Sequence, residues 1–452
     1  MSGATIARLD GPDATYAEFR TRHLETNSPC VFSPALVAAW PLFDRWVTRD
    51  RLELDYDYLR RAYGQLDVEC ASLDGDRDDD GDGPTTWTTT FRHLVNLWQA
   101  GAGERTYLRD WHLPLRVHES ADAGTTDEVA RTLYSVPDVC LDDWINEYEG
   151  IDRPGIRRDD FRFVYAGGRE TFTPLHRDVY CSYSISTQIY GRKLWYLFPP
   201  SCTRRLEPLV VEANRAGRAV NCDEWTDDVK AEFGRLGMTT VYQEARETIF
   251  IPSGWYHSVH NLTHPTVSLN HNWLNAHNLA AVYGALAHEA ARCRLAIDDV
   301  RELLVEHARR DGRLAVEGDA AWKREWETQV DQLVERSEGW SWTTFWKMVA
   351  NTLGSLELAD ADADADRRCS RWPTVPPACR PPTAFVVDQV RPLVAAFRTR
   401  REQELTWLDG LARVLDDVDA ELDRLTPRLA QREQQEEEEE EEQQHSSTPP
   451  AE

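Results

Sequence analysis

The sequence predicts a mainly β core of sandwich or barrel type, preceded by an α/β flank and followed by a helical region. Between residues 150 and 278, short β-rich runs alternate with Gly, Pro and Asn. This spacing favours a sandwich or barrel over alternating βα units. From residue 279 onward, apolar residues recur every three or four positions, which is typical of helices. The predicted divisions are therefore 1–149, 150–278 and 279–430, with a low-complexity, disordered acidic tail at 431–452.

The flank combines helical and strand patterns. Apolar periodicity predicts helices at residues 16–24, 35–46, 91–101 and 142–149, and strands at 66–70 and 106–110. An Asp- and Gly-rich run at 74–83 is predicted to be a loop insertion. Between the core strands, a charged helical stretch at 201–242 is predicted to be a lid-like insert.

The C-terminal region is predicted to form helices at 279–310, 320–353 and 382–429, the last interrupted by Pro392 and Gly410. An Asp-, Pro- and Arg-rich linker covers 359–381. Three roles stay open for these helices: packing on the core, dimerisation and presentation of a substrate.

Composition excludes several classes of protein. The acidic runs 74–83, 359–366 and 433–452 carry −5, −4 and −9 of the net charge of −27, which argues against nucleic acid as a partner. Apolar runs are too short to span a membrane, so no membrane partner is expected. The 9 Cys show no C-x-x-C spacing and fit reduced thiols, which predicts a cytoplasmic protein, with the nucleus as an alternative.

The candidate metal ligands are His176, Asp178 and His257. Side chains at i and i+2 of a strand point to the same face, so His176 and Asp178 converge without special backbone geometry. Two imidazoles and one carboxylate can occupy one face of Fe(II), leaving positions for a bidentate cosubstrate and O₂. Because the chain has 13 His, His-x-Asp occurs by chance about once in it, and only its context gives it weight.

That context is an ordered set of motifs. TPLHRD at 173–178 is followed by GRKLWYLFPP at 191–200, ETIFIPSGWYH at 247–257 and SLNHNW at 268–273. This set resembles the Jumonji C (JmjC) family of Fe(II)- and 2-oxoglutarate-dependent oxygenases over residues 107–278. The resemblance implies a double-stranded β-helix (jelly-roll, cupin-like) core, with His176, Asp178 and His257 as the catalytic iron ligands and 2-oxoglutarate and O₂ as cosubstrates.

The resemblance also implies a pocket for 2-oxoglutarate. Its distal carboxylate needs a cation and hydroxyl donors, and the family pattern assigns these to Lys193, Thr173 and Tyr107. Many members have Asn at the position of Ser186, so the contact with the 1-carboxylate is altered here or made by another group. Asn270 and Asn272 share one strand face and could line the iron chamber, although packing of one Asn explains the pattern equally well.

Nearby residues are expected to lie outside the metal site. His260, His264 and His271 are predicted to be structural or exposed, with His271 on the opposite sheet face from its neighbours. Arg246 stands where the family usually has Gly, which changes a turn and leaves the ligands unaffected.

Segments at 29–33, 39–47, 107–113, 143–147, 160–165 and 268–279 resemble the Jumonji-domain-containing protein four branch. That branch implies hydroxylation, at carbon four, of a lysine in a eukaryotic translation termination (release) factor. Two alternatives stay open: a histone or protein lysine demethylase or other residue hydroxylase, and a non-catalytic scaffold binding partners through its helices and acidic tail. The absence of zinc-finger spacing weakens a histone demethylase, and the intact ligand set with Lys193 argues against a scaffold.

Overall fold

The computed structural model describes residues 6–50, 52–72, 85–122, 133–151, 159–356 and 375–446. The chain divides into two compact units, Met1–Leu141 with Gly155–Leu274 and Asp142–Pro154 with Asn275–Glu452. The predicted loop at 74–83 and most of the linker at 359–381 lie outside the described residues.

The first unit contains the predicted β core. Its described strands are β1 (Ala7–Leu9), β2 (Cys30–Phe32), β3 (Asp67–Ser72), β4 (Thr85–Thr90), β5 (Thr106–Trp111), β6 (Arg162–Gly167), β7 (Phe172–Arg177), β8 (Tyr183–Tyr190), β9 (Lys193–Phe198), β10 (Thr239–Gln243), β11 (Thr248–Ile251), β12 (Tyr256–Asn261) and β13 (Thr266–Trp273). They form a nine-stranded sheet of order β1-β2-β11-β8-β13-β6-β5-β3-β4 and a four-stranded sheet of order β10-β9-β12-β7. The two sheets confirm the predicted jelly roll with its flanking elements.

The two sheets share an apolar cluster. Val31 and Ile249 of the larger sheet pack with Trp195, Leu197 and Val259 of the smaller one. Because side chains alternate along a strand, the polar residues of the candidate site share this inner face. Other hydrophobic clusters bury the opposite faces of the two sheets.

The flank and the core belong to one sheet. β1 to β5 extend both edges of the core sheet, so the flank predicted at 1–149 is not a separate layer. This pairing satisfies edge strands that would otherwise expose backbone donors and acceptors. The segment 142–154, by contrast, groups with the C-terminal helices.

The helices of the first unit cover the sheets from outside. They are α1 (Tyr16–Phe19), α2 (Pro41–Trp46), α3 (Tyr56–Tyr63), α4 (Phe91–Gln99), α5 (Leu113–Asp122), α7 (Thr203–Arg215) and α8 (Asp227–Arg235). α7 and α8 form the predicted insert, but Leu206 and Phe233 pack on Tyr196 and Phe198, on the outer face of the smaller sheet. The insert therefore packs on the outer face of that sheet, and the prediction that it forms a lid was wrong.

The second unit is helical in its described part. Its helices are α6 (Trp144–Glu149), α9 (Leu279–Ala296), α10 (Asp298–Arg310), α11 (Arg313–Glu317), α12 (Ala320–Glu338), α13 (Trp342–Leu356), α14 (Thr383–Arg400), α15 (Glu402–Trp407) and α16 (Leu411–Ser446). Trp342 and Trp346 of α13 pack against Tyr283 and Phe397 in an aromatic core. No described helix is long and apolar enough to cross a membrane.

The acidic tail differs from its prediction. Disorder was expected from residue 431, but α16 continues as far as Ser446. Glu and Gln are good helix formers, and extending an existing helix requires no new nucleus. Gly410, at φ +80°, separates α15 from α16 as expected, whereas Pro392 lies inside α14 without ending it.

Candidate functional site

His176, Asp178 and His257 lie together in the structure. Antiparallel pairing of β7 with β12 places His176 opposite His257, with ring centroids 4.2 Å apart. Asp178 follows β7 directly, and its Oδ1 lies 3.8 Å from His176 Nε2 and 3.9 Å from His257 Nε2. The sequence prediction that these three side chains converge is met by the geometry.

Backbone carbonyls orient both imidazoles. Nδ1 of His176 lies 2.9 Å from the carbonyl oxygen of Pro174, and Nδ1 of His257 lies 3.3 Å from that of Trp255. With Nδ1–H as the donor in each case, the Nε2 lone pair points towards Asp178. Burial, together with the neighbouring His176, holds the pKa of His257 well below its usual value, so the ring is neutral and able to bind a metal.

Asp178 lacks a full set of partners. Its Oδ2 is buried and accepts no hydrogen bond from the described residues. Burial raises the pKa of this carboxyl, while His176 and a hydrogen bond from Asn272 act in the opposite direction. An unsatisfied buried carboxylate oxygen is costly, and a divalent cation would satisfy it. The two imidazoles and this carboxylate therefore fit a two-His, one-carboxylate iron centre with open positions.

Lys193 is a buried cation on the inner face of β9. Its side chain is 3% exposed, and its Nζ donates to Ser268 Oγ at 2.6 Å. Within the described parts of the chain it forms no ion pair, and burial lowers its pKa to about 7. A buried ammonium without a counter-ion favours binding of an anion at this position.

Tyr107 and Thr173 join the flank to the smaller sheet. Their hydroxyl oxygens are 2.7 Å apart, and burial raises the pKa of Tyr107 to about 12, so its hydroxyl stays protonated. Gly167 permits this approach, because a Cβ atom there would lie 2.6 Å from the Tyr107 ring and 2.3 Å from Thr171 Oγ1. Both hydroxyls are therefore held in place by local packing.

Ser186, Asn270 and Asn272 occupy neighbouring strands of the larger sheet. Ser186 Oγ donates to Asn270 Oδ1 at 2.7 Å, and Asn270 Nδ2 donates to no described residue. The Asn272 side chain uses more of its hydrogen-bonding capacity, since its amide accepts from Ser184 Oγ and donates to Ser182 Oγ, both at 3.1 Å. Of the two amides, Asn270 has the donor available for a ligand.

Two residues near the site, Ser268 and Tyr165, were not predicted from the sequence. Ser268 links Lys193 to Asn270, whose Oδ1 lies 3.4 Å from Ser268 Oγ. Tyr165 lies on β6, opposite Ser268 of β13, and its hydroxyl donates to Asp110 Oδ1 at 2.6 Å. Burial, Asp110 and Asp178 together raise the pKa of Tyr165 well above its usual value. Period-two alternation along β6 and β13 was the signal that could have identified both residues.

The remaining residues near the ligands have structural positions. His271 is fully buried and stands next to Trp273 in the core, while its neighbours Asn270 and Asn272 hydrogen-bond within the site. His260 stacks on Phe172 at 5.3 Å on the outer face of the smaller sheet, and burial lowers its pKa to about 4.

Arg246 has φ +70°, a left-handed conformation that costs glycine nothing. This conformation explains why Gly is the usual residue in that turn. The Arg246 guanidinium lies 4.9 Å from the ring centroid of Phe43, a contact that glycine could not make.

A family model described as a cupin-like domain matches residues 16–278. Human 2-oxoglutarate and iron-dependent oxygenase JMJD4 is 33% identical over 311 residues, covering 66% of this chain and 68% of that protein. JmjC domain-containing protein 1 of Schizosaccharomyces pombe is 31% identical over 355 residues, covering 76% of this chain and 69% of that protein. Arginine-specific demethylase JMJ20 of Arabidopsis thaliana is 31% identical over 312 residues, covering 66% of this chain and 63% of that protein. This chain therefore spans about two thirds of the length of these relatives.

Proposed function

The chain belongs to the cupin-like JmjC family of iron- and 2-oxoglutarate-dependent oxygenases, and on that premise we propose that it hydroxylates a lysine of a translation termination factor. The observation that carries the proposal is the convergence of His176, Asp178 and His257 in the same core that buries the uncompensated Lys193. The lysine substrate rests on the resemblance of the flanking segments to one branch of the family. Dimerisation through the C-terminal helices and a cytoplasmic or nuclear location stay predictions from the sequence.

Each residue of the site has a part in this proposal. Nε2 of His176, Nε2 of His257 and the Asp178 carboxylate would hold Fe(II). Lys193, with the hydroxyls of Thr173 and Tyr107, would hold the distal carboxylate of 2-oxoglutarate. The Asn270 amide, oriented by Ser186, would donate to the 1-carboxylate, and Asn272 would fix Asp178.

Iron with 2-oxoglutarate and O₂ supplies the oxidation that inserts one oxygen atom into a C–H bond and yields succinate and CO₂. The chain itself contributes binding, orientation and exclusion of water. The buried inner faces of both sheets keep the donors fixed, so little reorganisation is needed when the cosubstrate binds.

The direct test is incubation of the protein with Fe(II), 2-oxoglutarate, ascorbate and a purified release factor, followed by mass spectrometry of the factor. We expect a lysine-containing peptide to gain the mass of one oxygen atom, with succinate formed in equal amount. Omission of 2-oxoglutarate is the control. Succinate formation without any modified residue in the factor would reject the substrate and leave the oxygenase intact.

Demethylation is the second candidate, because a relative at 31% identity is named an arginine-specific demethylase. The same mass spectrometry separates the two reactions: a demethylase removes the mass of one CH₂ group from a methylated peptide and releases formaldehyde. A non-catalytic scaffold predicts neither product, and it leaves the buried Lys193 and the unsatisfied Asp178 oxygen without a use.

Affinity for 2-oxoglutarate should fall as pH rises above about 7. The pKa of Lys193 is lowered to about 7 in the protein without cosubstrate, and only the ammonium form pairs with a carboxylate. Binding therefore takes up a proton above that pH, and the dissociation constant should rise towards tenfold per pH unit. Titration calorimetry in buffers of different ionisation enthalpy measures both quantities.

Lys193→Arg is the matched control for this pH dependence. A guanidinium stays protonated throughout the range, so any remaining affinity should be independent of pH. A wild-type affinity that stays constant from about pH 6 to about pH 8.5 would contradict titration of Lys193 in the pocket.

A further inference from the structure

Asn27, in the N-terminal flank, lies beside the turn that leads to the third candidate ligand. Antiparallel pairing of β2 with β11 sets Cys30 opposite Phe250, and the same register continued by three residues sets Asn27 opposite Ser253. The backbone ladder stops before that point, and Asn27 has a left-handed conformation at φ +49°. Its side chain replaces the missing ladder bond, because Asn27 Nδ2 donates to the Ser253 carbonyl oxygen at 2.9 Å.

A second bond runs in the opposite direction. Trp255 Nε1 donates to the Asn27 carbonyl oxygen at 3.0 Å. Asn27 therefore holds the turn 252–255 at two points, one on the backbone and one on an indole. We call this pair of contacts the Asn27 clasp.

The clasped turn is connected to two of the three candidate ligands. The Trp255 carbonyl oxygen accepts from Nδ1 of His257, which sets the orientation of that ring. Ser253 Oγ donates to the carbonyl oxygen of Cys181, at the end of the turn that follows Asp178. That second turn contains two consecutive residues with positive φ, Tyr180 at +59° and Cys181 at +52°.

Positive φ values at two consecutive non-glycine residues are costly, so surrounding contacts must hold this turn in place. The bond from Ser253 is one such contact. The turn after Asp178 and the turn before His257 are thus joined to each other by the Ser253 hydrogen bond. Asn27 in turn binds the second of these two turns through its side-chain amide and its carbonyl oxygen.

The amide of Asn27 is not required to form its own turn. Backbone bonds from Asn27 N to Leu24 O, and from Ser28 N to His23 O, already close that turn. His23 Nδ1 adds a bond to Ser28 O at 3.0 Å. The donor capacity of the Asn27 side chain is instead directed across 226 residues of sequence to the ligand-bearing turn.

We propose that Asn27 is a positioning residue for the metal centre, acting through the Asn27 clasp on His257 and, through Ser253, on the turn after Asp178. The proposal rests on the iron site put forward above. Asn27 touches neither metal nor cosubstrate; it fixes the backbone that orients the ligands. Outer partners of this kind commonly change metal affinity by about tenfold to a hundredfold.

Asn27→Gly tests the clasp with little change to the backbone. Glycine adopts a positive φ without strain and keeps the carbonyl that accepts from Trp255, so only the amide is lost. We expect the dissociation constant for Mn(II), measured from the electron paramagnetic resonance signal of the free ion, to rise about tenfold. Thr26→Ala is the matched control, because the Thr26 hydroxyl bonds only within the same turn, to the Arg22 carbonyl oxygen.

Thermal unfolding with and without Mn(II) separates positioning from mere stability. A structural role would lower both melting temperatures equally and leave the Mn(II) affinity unchanged, and this result would overturn the proposal. A positioning role lowers the metal-bound melting temperature more than the metal-free one, since weaker binding gives less stabilisation. Ser253→Ala should repeat the loss of affinity by cutting the link to Cys181.

Failure of the wild-type protein to bind Mn(II) would instead overturn the iron site, and the clasp with it. Normal Mn(II) binding by wild type, Asn27→Gly and Ser253→Ala alike would overturn the clasp alone. The two failures are therefore distinguishable in one set of titrations.

Discussion

Asp178→Ala is expected to abolish 2-oxoglutarate turnover while the protein stays folded, and His176→Ala should do the same. Each substitution removes one of three protein ligands, so Fe(II) affinity should fall by more than about a hundredfold, beyond the usual effect of an outer partner. Asp178 follows the end of β7, and its Oδ2 is buried without a hydrogen bond from any described residue. Its removal therefore relieves a cost of folding, and the metal-free variant should melt no lower than the wild type.

Succinate release measures turnover, and circular dichroism with thermal unfolding measures the fold. Asp44→Ala is a suitable control, because this exposed carboxylate pairs with Arg49 on the surface, outside the three candidate ligands. Full turnover with normal Fe(II) binding in either Asp178→Ala or His176→Ala would remove that residue from the metal centre.

The convergence of His176, Asp178 and His257 could be predicted because it depends on local geometry. β7 ends at Arg177, yet Asp178 keeps an extended backbone at φ −58° and ψ 145°. The alternation of a strand therefore continues for one more residue and directs the carboxylate towards His257. The distant ligand needed a motif rather than a period, because the β7–β12 pairing joins residues far apart in the sequence.

Contacts set by strand register and irregular backbone were not predictable in this way. Tyr165 bonds to Asp110, 55 residues away, in a part of β5 where the register shifts between Leu108 and Trp111. Such a bulge redirects side chains, and the period-two rule fails across it. The Asn27 clasp likewise depends on the register of β2 against β11 and on a positive φ that asparagine adopts only in some contexts.

The sequence also could not show to which of the two compact units the helix at 142–149 belongs. The sequence predicted a short helix at 142–149, and α6 occupies Trp144–Glu149. Nothing in a six-residue apolar pattern indicates whether its partner is a sheet or a helix bundle, and here the segment groups with the C-terminal helices. Element type follows from periodicity, whereas the packing partner follows from tertiary contacts.

Lys193→Ala is expected to raise the 2-oxoglutarate requirement severely and to leave Fe(II) affinity nearly unchanged. The Lys193 ammonium bonds to Ser268 and to none of the three candidate metal ligands, so its loss should affect the cosubstrate alone. A charge-assisted hydrogen bond to a desolvated carboxylate contributes about 1.5–3 kcal/mol, which corresponds to a loss of affinity of about tenfold to a hundredfold. Steady-state succinate formation gives the apparent KM, and Mn(II) titration gives the metal affinity.

Lys193→Arg should restore only part of the affinity, because the larger planar guanidinium differs in geometry from the compact ammonium beside Ser268 and Trp195. Lys323→Ala is the control for loss of a lysine, since that side chain pairs with Asp319 on the surface of α12. The pattern of the two constants distinguishes an oxygenase pocket from a simple metal-binding barrel: KM rises and metal affinity holds only if the ammonium meets the cosubstrate. Unchanged dependence on 2-oxoglutarate in Lys193→Ala, with the metal still bound, would exclude Lys193 from the pocket.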